Sequence, residues 1–461
     1  MINERRSKIV AKIADNKSDV EFITSLYEAG MDVTWLNTAH QDEEATLGVL
    51  ERIRMVSKAV GTELPILIDT KGPEVRTKNI ETPFEVKAGD HITFTGDITQ
   101  SGHNVVHVTY ANFHNEVPVG EEVLYDDASV EMIVQEKTEQ GIKCLVKNSG
   151  LIKSKKSLNI PNVHIELPAL TDKDRGFIHF CAKNDVDYII HSFMRSKADI
   201  DEIKDILKEY PTYRGKIISK IENREGFNNL KEILENCEGL MVARGDLGAE
   251  VPLEEMTFMQ KKMVEMSLEM GKYCIVATQV LDSMIKNPRP TRAEVTDASN
   301  AILDGSGAIS MSGETAYGDY PLEATRMMSR IMRYTEEKRD ELVHFVARPK
   351  VSSSEYKQAA DIVAKAENMK AKAIVTLTPN IELVRALSAQ RPNALIVAAV
   401  TDAWDARELM LAYAVRPVVV SALDGKTVVQ KIEGSAITDN DAIVIVSADG
   451  SVATGTLGDL R

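Results

Sequence analysis

The chain has 461 residues, 43% hydrophobic and 27% charged, enough for roughly three domains with sizeable cores rather than a disordered polymer. A formal net charge of −15 leaves no broad basic footprint for a phosphate backbone, which predicts no nucleic-acid partner. No stretch approaches the ~18 consecutive apolar residues of a membrane span, and the opening MINERRSKIV lacks a leader's apolar run, which predicts no membrane attachment.

The first three apolar runs, SKIVAKI, MDVTWLN and LPILIDT, are strand candidates. Helical patterns separate them around VEFITSLYEAG and EEATLGVLERIRMVSKAV. From about Lys78 to Pro161 the rhythm changes to short alternating strands such as DHITFTG, NVVHVTY and EEVLYDD, broken by Gly, Asp and Asn turns. This predicts a small β domain inserted between the strand ending at Thr70 and a helix from Thr171, which a Thr171–Asp174 capping pattern marks.

Alternation then resumes. DYIIHSF leads to SKADIDEIKDILKEY, where Ser196 can cap the helix with Asp199 three residues on, and Ile200, Ile203, Ile206 and Leu207 share one face. GKIISKIE is followed by a stripe of Phe227, Leu230, Ile233 and Leu234. GLMVA leads to a long helix from Leu253 to Met270 that Gly271 stops, CIVAT to RAEVTDASNAIL, and AISMS to PLEATRMMSRIMRYTEEKRD. Eight nearly continuous apolar strands alternating with helices predict a closed (β/α)₈ TIM barrel, with functional residues at the strands' C-terminal ends.

After about Asp340 the polar link SSSEYK precedes KAIVTLT, LIVAAVT, RPVVVSA and DAIVIVS, strand candidates of a C-terminal α/β domain with helices between the first three. The expected division is residues 1–70 and 162–340 for the barrel, 71–161 for an inserted β-barrel lid above the active site, and 341–461 for the C-terminal domain. Cys144, Cys181, Cys237 and Cys274 have no CxxC spacing and read as buried free thiols of a reducing cytoplasm.

The chemistry gathers at strand ends. In IISKIEN, Lys220 and Glu222 are two apart and project to the same side of a strand. Asp246 follows the next strand in VARGDLGAE, where glycines permit close backbone approach to a ligand. Two carboxylates beside a lysine suit a hard cation, Mg²⁺ or Mn²⁺, that also binds substrate oxygens. A plain Lys220–Glu222 salt bridge is the simpler structural alternative.

DTKGPEVRT (69–77), ISKIEN (218–223), VARGDLGAEVP (242–252), NPRPTRAEVTDASNAILDG (287–305) and SGETAYGDYPLEA (312–324) together resemble the pyruvate kinase family. The resemblance runs along most of the barrel and is weaker elsewhere. It implies phosphoryl transfer from phosphoenolpyruvate to ADP in glycolysis, in a cytoplasmic homotetramer. It also implies residue roles: Glu222 and Asp246 hold the divalent metal, and Lys220 neutralises the phosphoryl group in flight. Backbone N–H groups around Ala243, Arg244, Gly245 and Asp246 would bind the substrate carboxylate, and Thr278 would lie near the carbon that gains a proton. Arg76 and Ser192 would approach the phosphates. Asn37, Asp69 and Thr70 match positions that hold a monovalent cation, usually K⁺.

Two positions depart from the family pattern. Trp35 stands where an arginine is usual and Ala39 where a serine is usual. Losing one charge-assisted hydrogen bond implies roughly 10- to 150-fold in rate or affinity, so Trp35→Arg is expected to raise turnover. Ala39 removes a hydroxyl from the monovalent set, which argues against K⁺ dependence unless Thr38 or water substitutes. In TLTPNIE, Pro379 lacks an N–H and Glu382 repels phosphate, so no activation by a sugar bisphosphate is expected there. A metabolite sensor that has lost activity, and a carbon–carbon lyase acting through pyruvate enolate, are the rival readings. The lyase leaves Lys220 and KGPEVRT unexplained.

Overall fold

The computed structural model describes residues 4–39, 41–99, 104–161, 163–342 and 347–461. Residue 162, where the sequence has the barrel resume, lies outside them. Eight parallel strands close into a barrel: Lys8–Lys12 (β1), Val33–Asn37 (β2), Ile66–Asp69 (β3), Tyr188–His191 (β4), Lys216–Ile221 (β5), Gly239–Ala243 (β6), Tyr273–Ala277 (β7) and Ala308–Met311 (β8). They are largely apolar because both faces are buried. Ile9, Leu36, Ile68 and Ile189 pack outward against helices, while Val10, Val33, Leu67, Ile190, Ile218 and Met241 fill the interior. Counting by two from these interior residues carries Lys12, Asn37, Asp69, Ser192 and Lys220 to the inner side of the barrel's C-terminal mouth.

Local chemistry starts the helices where expected. Thr171 and Asp174 form a reciprocal capping box at the helix Asp172–Lys183. Asp199 takes the Ser196 N–H at 3.3 Å ahead of Lys197–Leu207. The stripe from Phe227 to Leu234 is two short helices rather than one, Arg224–Asn228 and Leu230–Asn236. Asn229, at φ −93° and ψ 13°, turns the chain between them. Its side chain donates to the Arg195 carbonyl at 2.9 Å, an anchor that a continuous helix would lose.

The inserted segment carries a six-stranded sheet with Leu158–Asn159 at one edge and Val105–His107 at the other, plus a two-stranded ladder. Backbone bridges Arg76–Ser157 and Thr77–Val108 join the two edges, so the sheet closes on itself through residues 76 and 77. Its interior is Ile92, Phe94, Val123, Met132 and Val134, the inward half of each alternating strand. At the entry to this small barrel, Gly72 has φ +70°, and a Cβ there would lie 2.8 Å from the Ser192 Cβ.

The C-terminal sheet runs in the order Val415–Val419, Leu395–Val400, Ala373–Thr376, Ala442–Val446 and Val452–Thr456. The first four are parallel and the last is an antiparallel edge. SSSEYK is not a free link, because Ser353 caps a helix that starts at Ser354. A further helix, Gly425–Ile432, precedes the fourth strand. This α/β unit covers the barrel's N-terminal end. Tyr188 Oη donates to the Glu408 carbonyl at 2.5 Å, Lys8 Nζ donates to the Val415 carbonyl, and Met410 and Leu411 join the barrel's interior cluster. Beside them, buried Asp32 pairs with Arg5 and, at 2.8 Å, with Arg416. No helix among the described residues is long and apolar enough to cross a membrane, and all four cysteines are buried and free.

Candidate active site

The polar groups of the barrel mouth converge on Lys220. Its ammonium lies 2.9 Å from Glu222 Oε1, 3.3 Å from Asp69 Oδ2 and 3.3 Å from Ser192 Oγ. Burial alone would favour the neutral amine. Asp69, Glu222 and Asp246 outweigh it and raise the Lys220 pKa, which keeps the charge in place.

Glu222 is fully buried. Burial pushes its pKa well above the usual carboxylate value and Asp246 adds to the push, while Lys220 opposes it. Glu222 Oε2 accepts from the Phe193 N–H at 2.7 Å, but Oε1 has no aligned hydrogen-bond donor despite its closeness to Lys220. An under-satisfied buried carboxylate beside a second carboxylate is a donor set that a hard divalent cation fits. Among the described residues no cage of three or more His, Cys, Asp or Glu is present, so such an ion would complete its shell with water and substrate oxygens.

Asp246 lies in the first turn of a short helix, Arg244–Glu250. The Gly245 N–H at its start is already given to Thr278 Oγ1 at 2.8 Å. Thr278 holds the left-handed conformation, φ +66°, which costs a β-branched residue about 1–3 kcal/mol. Its hydroxyl donates to the Ala277 carbonyl at 2.7 Å, so the backbone satisfies it. The Arg244 guanidinium braces this turn. It donates to the Thr278 carbonyl at 2.7 Å and the Gln279 carbonyl at 2.9 Å, and pairs with Asp297 at 2.6 Å. That side chain is spent on structure.

Ser192 Oγ donates to Asp69 Oδ1 at 2.8 Å, and Thr70 Oγ1 meets His191 Nδ1 at 3.1 Å. Asn37 faces Asp69 through Nδ2 at 3.5 Å and accepts the Ala39 N–H on Oδ1 at 2.9 Å. Thr38 is buried and donates to the Asp69 carbonyl at 2.8 Å, fastening β2 to β3. Arg76 stands apart on the small barrel, paired with Glu74 and donating to the Lys155 carbonyl at 2.6 Å. Two clefts between the barrels border Asp246, one of about 430 Å³ lined by Phe193, Asn223 and Glu250, the other of about 930 Å³ lined by Asp127, Gly245 and Gln279.

Lys12 was not visible as a site residue from its sequence. Its Nζ lies over the Trp35 ring, 5.1 Å from the centroid, and Asp69, Lys220 and Asp246 are the charged groups that act on it. The signal was the alternation Lys8, Val10, Lys12 on one strand face, since Val10 is barrel interior.

The pyruvate kinase barrel-domain family model matches residues 4–325. A pyruvate kinase of Borreliella burgdorferi (strain B31) is 40% identical over 456 residues, covering 96% of this chain and 94% of the relative. One from Staphylococcus aureus (strain MRSA252) is 38% identical over 463 residues, covering 98% of this chain and 79% of its own longer length. The crystal structure of a pyruvate kinase from Cryptosporidium parvum superposes with a TM-score of 0.90 at 34% identity, covering 98% of this chain and 96% of that one. With the barrel, the converged lysine and carboxylates and nearly full-length similarity in agreement, the chain belongs to the pyruvate kinase family.

Proposed function

We propose that the chain transfers the phosphoryl group of phosphoenolpyruvate to ADP, giving pyruvate and ATP. The observation that carries this reading is the charged Lys220 held between Asp69 and Glu222 at the mouth of the barrel. Phosphoryl transfer depends chiefly on positioning and charge neutralisation, and a lysine kept cationic in a buried site supplies both.

Glu222 and Asp246 would hold Mg²⁺ or Mn²⁺, which when bound neutralises phosphate and enolate oxygens. Lys220 would meet the phosphoryl group, with Ser192 fixing its position through the 3.3 Å contact. Arg76, borne by the small barrel, would reach the phosphates when that barrel closes over the cleft. Thr278 would act by shaping the turn beside the reacting carbon, and proton delivery there would need water because its hydroxyl is satisfied by the Ala277 carbonyl.

The monovalent-cation site fits poorly. Ala39 has no hydroxyl, which leaves the set one oxygen ligand short of the family pattern. Turnover should therefore not depend on K⁺. We also propose the three-domain division at residues 70, 161 and 340, supported by separate hydrophobic clusters in the three parts. A homotetramer in the cytoplasm completes the reading. In the C-terminal unit, Asn380 caps its own helix by accepting the Leu383 N–H at 3.0 Å, which leaves less for a sugar phosphate at that turn.

Purified protein with Mg²⁺, ADP and phosphoenolpyruvate should release ATP and pyruvate, and Glu222→Ala should stop it. Absence of turnover with either metal, with and without K⁺, would refute the reading.

A further inference from the structure

Lys12 is the last residue of β1, pairs in register with Trp35 on β2, and follows Val10 on the interior face. Its Nζ, lying over the Trp35 ring, makes no hydrogen bond or ion pair with a carboxylate among the described residues. Trp35 itself is 2% exposed, and its indole N–H has no partner, so the ring serves as an apolar shelf under the ammonium. Burial pushes the Lys12 amine below its ordinary value, with Lys220 adding to the effect while Asp69 and Asp246 oppose it. A partly buried cation without a bonded counter-ion, facing a second cation, is an unfavourable arrangement that a bound anion would relieve.

We propose that Lys12 is a second phosphoryl-binding cation, resting on Trp35 and contacting the phosphate of phosphoenolpyruvate alongside Lys220. The proposal rests on the phosphotransfer reading above and adds to it a residue from a different strand. Two cations from opposite sides would hold a phosphoryl dianion more firmly than one, and a position at the C-terminal end of a barrel strand is where such a group belongs. The aromatic shelf fixes the ammonium's height without a carboxylate partner that would compete with the substrate.

The test compares unmodified protein with Lys12→Met and Lys12→Arg. Steady-state turnover, calorimetric binding of phosphoenolpyruvate in the presence of Mg²⁺, and thermal unfolding are measured on each. Lys12→Met should raise KM and Kd for phosphoenolpyruvate about 10- to 100-fold, the loss of a charge-assisted hydrogen bond, and leave KM for ADP within about threefold. Lys12→Arg should restore most of that affinity, and the unfolding midpoint of Lys12→Met should be no lower than that of the unmodified protein. If Lys12→Met turns over normally with KM for phosphoenolpyruvate within about threefold, Lys12 does not touch the phosphate and the proposal falls, with the phosphotransfer reading intact. If the unmodified protein neither binds nor turns over phosphoenolpyruvate, both fall together.

Discussion

Replacing Lys220 with methionine separates its proposed role in phosphoryl transfer from its position beside the proposed metal ligands. The ammonium touches three oxygens, at 2.9 Å on Glu222 and 3.3 Å on both Asp69 and Ser192, so methionine removes the charge while keeping the length. A preorganised donor aimed at developing charge contributes about 2.7–4 kcal/mol, so kcat should fall about 10²- to 10³-fold. Affinity for the divalent ion should move the other way. Lys220 is a like charge beside Glu222, and even at water's dielectric two unit charges 4 Å apart interact by about 1 kcal/mol. Its removal should therefore tighten Mn²⁺ binding about fivefold or more. The assay couples pyruvate formation to NADH oxidation across a Mn²⁺ titration, with thermal unfolding run in parallel to establish that the variant is folded. A folded variant with kcat within threefold of the original, or with weakened Mn²⁺ binding, would refute the reasoning.

Three further outcomes follow from buried groups. Asp32→Ala strands Arg5 and Arg416 without their shared carboxylate and should cost about 3–5 kcal/mol, read as a lower urea midpoint. Asp32 is buried, and Arg5, Arg416 and Lys8 outweigh that burial to hold its pKa at about 2 against an ordinary 3.8. Its contribution is therefore full above pH 4 and is lost as pH falls toward 2, a loss absent from the Ala variant. Glu250, which joins the two barrels by accepting from Asn159 at 2.7 Å, has its pKa raised by burial to about 7. The folded state keeps this proton between pH 4.5 and 7 where the unfolded chain has lost it, so burying Glu250 between the barrels stabilises the closed junction less as pH rises through 7, although Asn159 itself favours the carboxylate. Hydrogen exchange at 158–160, corrected for intrinsic rates, should be faster at pH 8 than at pH 6, and Glu250→Gln should abolish the difference. Trp35→Arg should lower turnover rather than raise it, because the ring it removes is buried under Lys12 and the new guanidinium would repel that ammonium. A gain in kcat/KM for phosphoenolpyruvate would contradict this.

The barrel was legible because eight strands buried on both faces leave eight nearly continuous apolar runs, and because Thr171 and Ser196 announce their helices chemically. The closeness of Lys220 and Glu222 was legible because spacing by two at a strand end fixes a shared side, and Asp246 was placed near them by following the next strand. What stayed hidden depends on register between distant segments. In SKIVAKI, Lys12 reads as the polar end of a strand, and its alignment with Trp35 across the β1–β2 ladder is what sets it over the ring beside the charges of the barrel mouth. The Asp32 cluster joins residues 5, 32 and 416, which no local pattern connects. The edge strand Val452–Thr456 was missed because VATGT is half exposed and carries little apolar alternation. The change in expectation for Trp35→Arg has the same origin, since the sequence shows a missing cation but not the one lying over the ring.

The seam that closes the small barrel passes through Arg76 and Thr77, within a few residues of Asp69 in the catalytic mouth. Because that stretch is bridged on both sides, any movement of Arg76 would have to carry the six-stranded sheet with it. Lys71 and Gly72 donate their N–H groups to Asp174 at 2.8 and 3.3 Å, which ties the entry to the small barrel onto the large one. If the small barrel swings over the cleft during turnover, the frequency of swinging and the chemistry beneath it would be set by different residues. A turnover rate limited by the swing would fall with solvent viscosity and respond to the Asn159–Glu250 latch while staying indifferent to whether Mg²⁺ or Mn²⁺ is supplied.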